Sequence, residues 1–196
     1  MHALIVVSHP LQDSLTHTIA QRLAQGIVDS GTLDSVEIAD LAAEGFDPRF
    51  TQTDIELHLG KSAAAGDVAA EHARLDRADA LVLVYPVYWW SFPALLKGWI
   101  DRVFTRGWAY DENADGKLEK KLSRLAVHQI AIGGADQRTY ARHGYFGSMK
   151  NQVDHGIFGY CGARVIGSEL LLSSERDFPA SHLDTAYAYG SRIFKQ

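Results

Sequence analysis

Val84-Tyr85-Pro86-Val87-Tyr88-Trp89-Trp90-Ser91-Phe92-Pro93-Ala94-Leu95-Leu96-Lys97-Gly98-Trp99-Ile100-Asp101-Arg102-Val103-Phe104 is the stretch whose reading decides the fold. It is entered from Ala80-Leu81-Val82-Leu83-Val84-Tyr85, a short apolar run with β-branched residues, the pattern of a strand covered on both faces. Pro86 ends that strand. From Ser91 to Phe104 apolar residues, Leu95, Leu96, Trp99 and Val103 among them, fall at helical spacing, and Pro93 is tolerated in a first turn. Strand, loop and helix in that order put Tyr88, Trp89 and Trp90 at the carboxyl end of a strand, where open α/β sheets bind ligands. Two readings of these rings stand side by side: they border a flat conjugated ligand, or they plug the end of the core.

Outward from this segment the same alternation recurs. Strands are expected at about 2–8, 34–39, 79–85, 124–132 and 163–172, and helices at about 14–30, 66–78, 92–105, 147–160 and 180–194. Strands alternating with helices predict an α/β fold with a parallel sheet covered on both faces. Five strands with a crevice beside the first fit the order 2-1-3-4-5, the flavodoxin-like arrangement. The segment Gly45 to Gly66, with Asp47-Pro48-Arg49 and a short helix around Thr53 to Leu59, reads as an excursion from the sheet.

The chain has 196 residues and no Pro/Gly/Ser-rich linker, charge block or repeat, which predicts one domain over 1–196. A net charge of -5 without a Lys/Arg run argues against nucleic acid as a partner. Ala3-Leu4-Ile5-Val6-Val7 is too short for the apolar region of a signal peptide and no later run is long enough to span a bilayer, so a soluble, cytoplasmic protein without membrane insertion is expected. A single cysteine, Cys161, excludes an intrachain disulfide and a Cys-x-x-Cys pair, so redox chemistry would have to be carried by a cofactor. Nine histidines are present, but none stands in a His-x-x-x-His or His-Glu-x-x-His pair, and no metal site is expected.

Two further loops lie at strand ends. The first strand runs into Ser8-His9-Pro10-Leu11-Gln12-Asp13-Ser14-Leu15-Thr16-His17, where no Gly-x-Gly-x-x-Gly occurs and hydroxyl groups stand instead of glycines. Ser14 and Thr16 at a helix amino terminus could hold a phosphate, or Ser14 or Asp13 could simply cap the helix. His9 could donate to a phosphate or satisfy a carbonyl of its own turn. His17 and Lys97 read as helix-surface residues, and Asp101 and Arg102 as a pair within their helix. After the fourth strand comes Ile132-Gly133-Gly134-Ala135-Asp136-Gln137-Arg138-Thr139-Tyr140, whose paired glycines either expose amide donors to a ligand or make a plain turn. In a doubly wound sheet the ends of strands one, three and four converge on one crevice.

Ser8-His9-Pro10 with Ser14-Leu15-Thr16, the run Pro86 to Phe104, Gly107-Trp108-Ala109-Tyr110, Gly133-Gly134 with Tyr140, and Tyr160-Cys161-Gly162 together resemble the NAD(P)H:quinone oxidoreductase (DT-diaphorase) family of flavodoxin-like flavoproteins. The resemblance covers nearly the whole chain, and Leu-Lys-Gly-Trp-Ile-Asp-Arg-Val-Phe is its most specific part. It implies two-electron reduction of a quinone by NAD(P)H through a bound flavin, in a ping-pong sequence. It implies that His9, Ser14, Leu15 and Thr16 hold the phosphate and ribityl end, that Pro86, Val87, Tyr88, Trp89 and Trp90 border the isoalloxazine, and that Gly133 and Gly134 meet its pyrimidine edge. Tyr140 would be the hydroxyl that stabilises charge on hydride transfer. The family's site lies at a homodimer interface, so Trp89, Trp90, His143, Phe146 and, from a neighbouring subunit, Trp108, Tyr110 and Tyr160 would form the substrate pocket. One departure is that the histidine six residues after the tyrosine in mammalian members is Phe146 here, with His143 nearby at a different spacing. Phe46-Asp47-Pro48-Arg49-Phe50 with Asp54 resembles the FAD-using branch, with FMN as the alternative. Relatives also serve as ancillary subunits of potassium-efflux transporters, and that regulatory role is the rival reading.

Overall fold

The strand and helix periodicities become the elements of a computed structural model that describes residues 1–31 and 34–195. In chain order these are β1 (His2–Val7), α1 (Leu15–Asp29), β2 (Ser35–Asp40), α2 (Gln52–His58), α3 (Gly66–Arg77), β3 (Ala80–Pro86), α4 (Ala94–Val103), β4 (Tyr110–Glu112), β5 (Leu118–Lys120), β6 (Ala126–Gly133), α5 (Gln137–His143), α6 (Tyr145–Lys150), a π-helical segment (Asn151–Gly159), β7 (Arg164–Leu172) and α7 (Ala180–Gly190). The main sheet has five strands in the order β2-β1-β3-β6-β7, all pairs parallel. With β4 and β5 set aside, this is the expected 2-1-3-4-5 order.

Burial follows position in the sheet. The central strands β1 and β3 are almost wholly buried, whereas the edge strands β2 and β7 keep partly exposed faces. Alternate residues feed two cores. Ile5, Val7, Val82 and Val84 pack under Ile19, Leu23 and Ile27 of α1 and Tyr189 of α7 on one face. Leu4, Val6, Leu81, Leu83 and Tyr85 pack under Leu96, Trp99 and Val103 of α4 and Phe158 of the π-helical segment on the other. The helices α1 and α7 meet at Gly26 and Gly190, where an added Cβ would strike the carbonyls of Tyr187 and Leu23.

Three features differ from the sequence reading. An antiparallel hairpin, β4–β5, closes over Asn113 to Gly116 with Asn113 Oδ1 accepting from the amides of Asp115 and Lys117. The helix expected over 147–160 is instead α6 followed by the π-helical segment, and α5 precedes it. Gly144, at φ +71°, makes the break between α5 and α6, a left-handed turn that a residue with a Cβ adopts only with strain.

The third difference is Arg102, which does not pair with Asp101 within its helix but is buried against other elements. It is 4% exposed, and its guanidinium contacts Asp54 at 3.2 Å, Asp67 at 2.6 Å and the carbonyl of Asp47 at 2.8 Å. Asp54 is itself buried and caps α2 through Thr51. One α4 side chain thereby pins the whole excursion 45–66 to the sheet, and Gly98 gives the room in which the Pro48 backbone lies against α4. Lys97 lies on the helix surface as expected, but it is Lys97, not Arg102, that pairs with Asp101, in an exposed i,i+4 contact.

Removing one partner of a buried pair strands the other charge, which typically costs about 3–5 kcal/mol. Arg102→Ala is therefore expected to lower the unfolding free energy in urea by about that amount. Lys97→Ala, which breaks only a solvated pair, is expected to change it by no more than about 0.5 kcal/mol.

Candidate active site

The order reversal at β1 and β3 sends the chain after β1 to α1 on one face and the chain after β3 to α4 on the other, opening a crevice between the two loops. Backbone bonds continue the ladders past the strand ends, with Ser8 donating to Val84 O at 3.3 Å and Val87 to Ile132 O at 2.8 Å. The three loops singled out in the sequence thus share one edge.

Ser14, not Asp13, is the N-cap of α1: its Oγ accepts from the His17 amide at 3.3 Å. Leu15 packs onto the α1–α7 core and Thr16 is buried in the first helical turn, whose leading amides have no carbonyl within the helix to bond. His9 closes its own turn, with Nδ1 accepting from the Leu11 amide at 3.1 Å. His17 is buried, contrary to expectation, and spans from Ser14 Oγ to Asp40 Oδ2, each at 2.8 Å.

In the second loop, Tyr88 and Ser91 exchange backbone hydrogen bonds at 3.1 and 3.0 Å around Trp89 and Trp90, whose φ values are +50° and +60°. This is the hairpin turn that demands positive φ at both central positions and normally carries Asn-Gly. Two tryptophans there cost roughly 1–2 kcal/mol each. Trp89 is 92% exposed, so its own burial returns nothing. Trp90 stacks on Tyr145 at 3.7 Å between centroids and meets Tyr140 edge-on at 5.3 Å. Of the two readings of these rings, plugging the core fails for Trp89 and Tyr88, which point to solvent.

Gly133 ends β6 beneath Tyr140. A Cβ on Gly133 would stand 2.6 Å from the Tyr140 hydroxyl oxygen, so the glycine is what allows that phenol its place. Burial raises the Tyr140 pKa, keeping the phenol a protonated donor at neutral pH. Ser173 bonds both glycine carbonyls, through its amide to Gly133 O and its hydroxyl to Gly134 O. Among the described residues the N–H groups of Gly134 and Ala135 find no acceptor. Val87, Trp89, Trp90, Gly134, Ala135 and Tyr140 together line a cavity of about 180 Å³. Phe146 lies against the Tyr140 ring at 5.2 Å, whereas His143 stacks on Tyr145. Tyr145, which the sequence analysis did not single out, is the ring that joins His143, Trp90 and Tyr140.

Trp108, Tyr110 and Tyr160 form another aromatic group. Trp108 stacks on His72 at 4.3 Å and donates to Asp76, and Tyr110 meets Tyr160 edge-on at 5.2 Å. Among the described residues none of their ring contacts involves Trp89, Trp90 or Tyr140. Asp47, Arg49 and Asp54, read as a sign of FAD, are bonded to neighbouring protein groups: Arg49 to Asp47, and Asp54 to Thr51 and Arg102. Among the described residues no group of three or more His, Cys, Asp or Glu could hold a metal ion, and no helix is long and apolar enough to cross a membrane.

A family model described as having a flavodoxin-like fold matches residues 1–189. The chain belongs to that flavodoxin-like family. An NAD(P)H oxidoreductase of Haemophilus influenzae is 30% identical over 171 residues, covering 87% of this chain and 83% of that one. The ribosyldihydronicotinamide dehydrogenase (quinone) of Mus musculus is 29% identical, covering 85% and 79%. Among solved structures, the NAD(P)H:quinone oxidoreductase from Methanothermobacter marburgensis superposes with a TM-score of 0.85 at 25% identity, over 99% of this chain and 97% of that one. These relatives carry the names that the sequence resemblance pointed to.

Replacing an exposed left-handed tryptophan by glycine removes the Cβ clash but adds unfolded-chain entropy, so the two effects partly offset. Trp89→Gly is expected to leave thermal stability unchanged or to raise the unfolding free energy by up to about 1 kcal/mol, measured by denaturant titration, because nothing packs on that ring.

Proposed function

We propose that the protein is a flavin-dependent NAD(P)H:quinone oxidoreductase that reduces quinones by two electrons in a ping-pong sequence. The observation that carries this is the crevice itself: an exposed ring on a strained turn, a stacked Trp90–Tyr145 pair, unbonded amides at Gly134 and Ala135 and a protonated Tyr140 phenol at one strand edge. That donor set fits a flavin, FAD on the resemblance and FMN as the alternative. A bound flavin supplies the hydride-accepting and hydride-donating chemistry that no side chain here possesses.

The chain's own groups bind and orient. The hydroxyls of Ser14 and Thr16 and the first-turn amides of α1 suit the phosphate end, since a helix amino terminus carries a partial positive charge. Pro86, Val87, Tyr88, Trp89 and Trp90 offer a surface against which a planar acceptor lies flat, and orientation of this kind lowers the barrier by holding the reactants in place. The Gly134 and Ala135 amides and the hydroxyl of the buried Tyr140 are the donors proposed to meet developing negative charge. Phe146 packs on Tyr140 and supplies no proton, so Tyr140 acts without a histidine relay. Tyr160, exposed beside Tyr110, and Trp108 with it, are proposed to face the pocket of a second copy in a homodimer.

Heat-released chromophore from the purified protein is expected to run as FAD or FMN, and the flavin absorbance to bleach on anaerobic NAD(P)H and return with quinone. A protein that takes up neither flavin would overturn the reading. Tyr140→Phe is expected to keep its flavin while slowing hydride transfer in stopped flow by about 10- to 1000-fold, the range for loss of one such donor. An unchanged rate removes Tyr140 from the chemistry.

A further inference from the structure

We propose that His17, through Ser14, couples proton uptake to the binding of a phosphate-bearing flavin, acting as a positioning residue for the phosphate end; this rests on the flavin reading above. His17 is 8% exposed and lies in the first turn of α1, with Nδ1 2.8 Å from Ser14 Oγ and Nε2 2.8 Å from Asp40 Oδ2. Asp40 closes β2. Its burial works against ionisation, but the hydrogen bonds from His17 and from the Ala43 and Ala42 amides prevail and hold its pKa below the usual carboxylate range. An ionised carboxylate only accepts, so Nε2 of His17 carries hydrogen.

The consequence falls on Ser14. In neutral His17 the hydrogen sits on Nε2, Nδ1 is an acceptor, and the Ser14 hydroxyl donates its only proton to it. Ser14 Oγ meanwhile accepts from the His17 amide. A phosphate oxygen arriving at the helix terminus would then meet serine lone pairs. When Nδ1 is protonated the direction reverses: imidazolium donates to Ser14 Oγ, the hydroxyl proton is released toward the phosphate, and a positive charge joins the helix terminus. The one bond formed is Nδ1–H, with a proton taken from solvent; the Ser14 O–H bond stays intact and only turns toward the phosphate. A phosphate group therefore favours protonated His17, so affinity is greatest at low pH and falls as pH rises.

Asp40 faces His17 from β2, and Gln12 donates to the same Asp40 oxygen at 2.9 Å. His9 stands edge-on at 6.3 Å from the β1–α1 loop and is the other titratable ring nearby. Asp13 is exposed, one residue before the cap.

The test is calorimetric titration of flavin-stripped protein with FAD across pH 6–8, in two buffers of different ionisation enthalpy, so that protons taken up are counted directly. FAD is the probe because its pyrophosphate does not titrate there, whereas a phosphomonoester such as that of FMN does, near pH 6. The wild type is expected to take up as much as one proton and to lose as much as tenfold in affinity per pH unit, while riboflavin, lacking phosphate, shows neither effect. His17→Gln, with circular dichroism confirming its fold, is expected to bind FAD without proton uptake. FAD binding to wild type without proton uptake, or uptake that survives in His17→Gln and so belongs to His9, overturns the role of His17 alone. Failure of wild type to bind either FAD or FMN overturns the flavin reading and this coupling with it.

Discussion

Parallel pairing of the central strands is the constraint on which everything else rests. A parallel strand cannot be joined to its neighbour by a tight turn, so each connection crosses the sheet through a helix and every strand ends on the same edge. The register of β1 with β3 and of β3 with β6 sets those ends level. Because β1 is followed by a helix on one face and β3 by a helix on the other, the two loops part and leave a crevice. Each candidate group inherits its place from that geometry: the α1 terminus from β1, the tryptophan turn from β3, the glycine pair from β6.

Strain at the crevice is matched by bonding around it. The turn holding Trp89 and Trp90 in left-handed conformations is closed by reciprocal Tyr88–Ser91 bonds, anchored through Ser91 Oγ to Gln152, and held by the Trp90–Tyr145 stack. A strained backbone persists only where its surroundings over-determine it, and such places concentrate at ligand sites. Behind the crevice, Arg102 ties the long excursion after β2 to α4 while Arg74 gathers Glu37, Glu44 and Glu71. These ion pairs are remote from the chemistry, and they keep irregular chain packed over the sheet beside the site.

The parts that were legible in the sequence share a cause. The central strands showed because burial on both faces demands continuous apolar runs, and α1 and α4 because a one-sided core demands apolar residues at helical spacing. The order of elements then placed Ser14, Trp89, Trp90, Gly133 and Gly134 at one edge. The hairpin β4–β5 was not legible because its strands are short and largely exposed, leaving only the turn Asn113-Ala114-Asp115-Gly116 as a signal. Neither α5 nor the break at Gly144 was read from the sequence, and the helical pattern over 147–160 masked the change to π-helical spacing. Arg102 and His17 read as surface residues because a charged or polar side chain on a helix normally is one; their partners lie 48 and 23 residues away.

The sequence by itself determined the layering of the fold, the sheet edge at which the three loops meet and the family to which the chain belongs, since periodicity and local residue order are properties of the chain alone. Only the tertiary structure decided which polar groups are paired and which remain free. It committed Asp54 to Arg102, joined Ser14 through His17 to Asp40, set Phe146 rather than a histidine against Tyr140 and brought Tyr145 onto Trp90. The physical reason is that hydrogen bonds and ring contacts act over a few ångströms in space, and sequence separation carries almost no information about them.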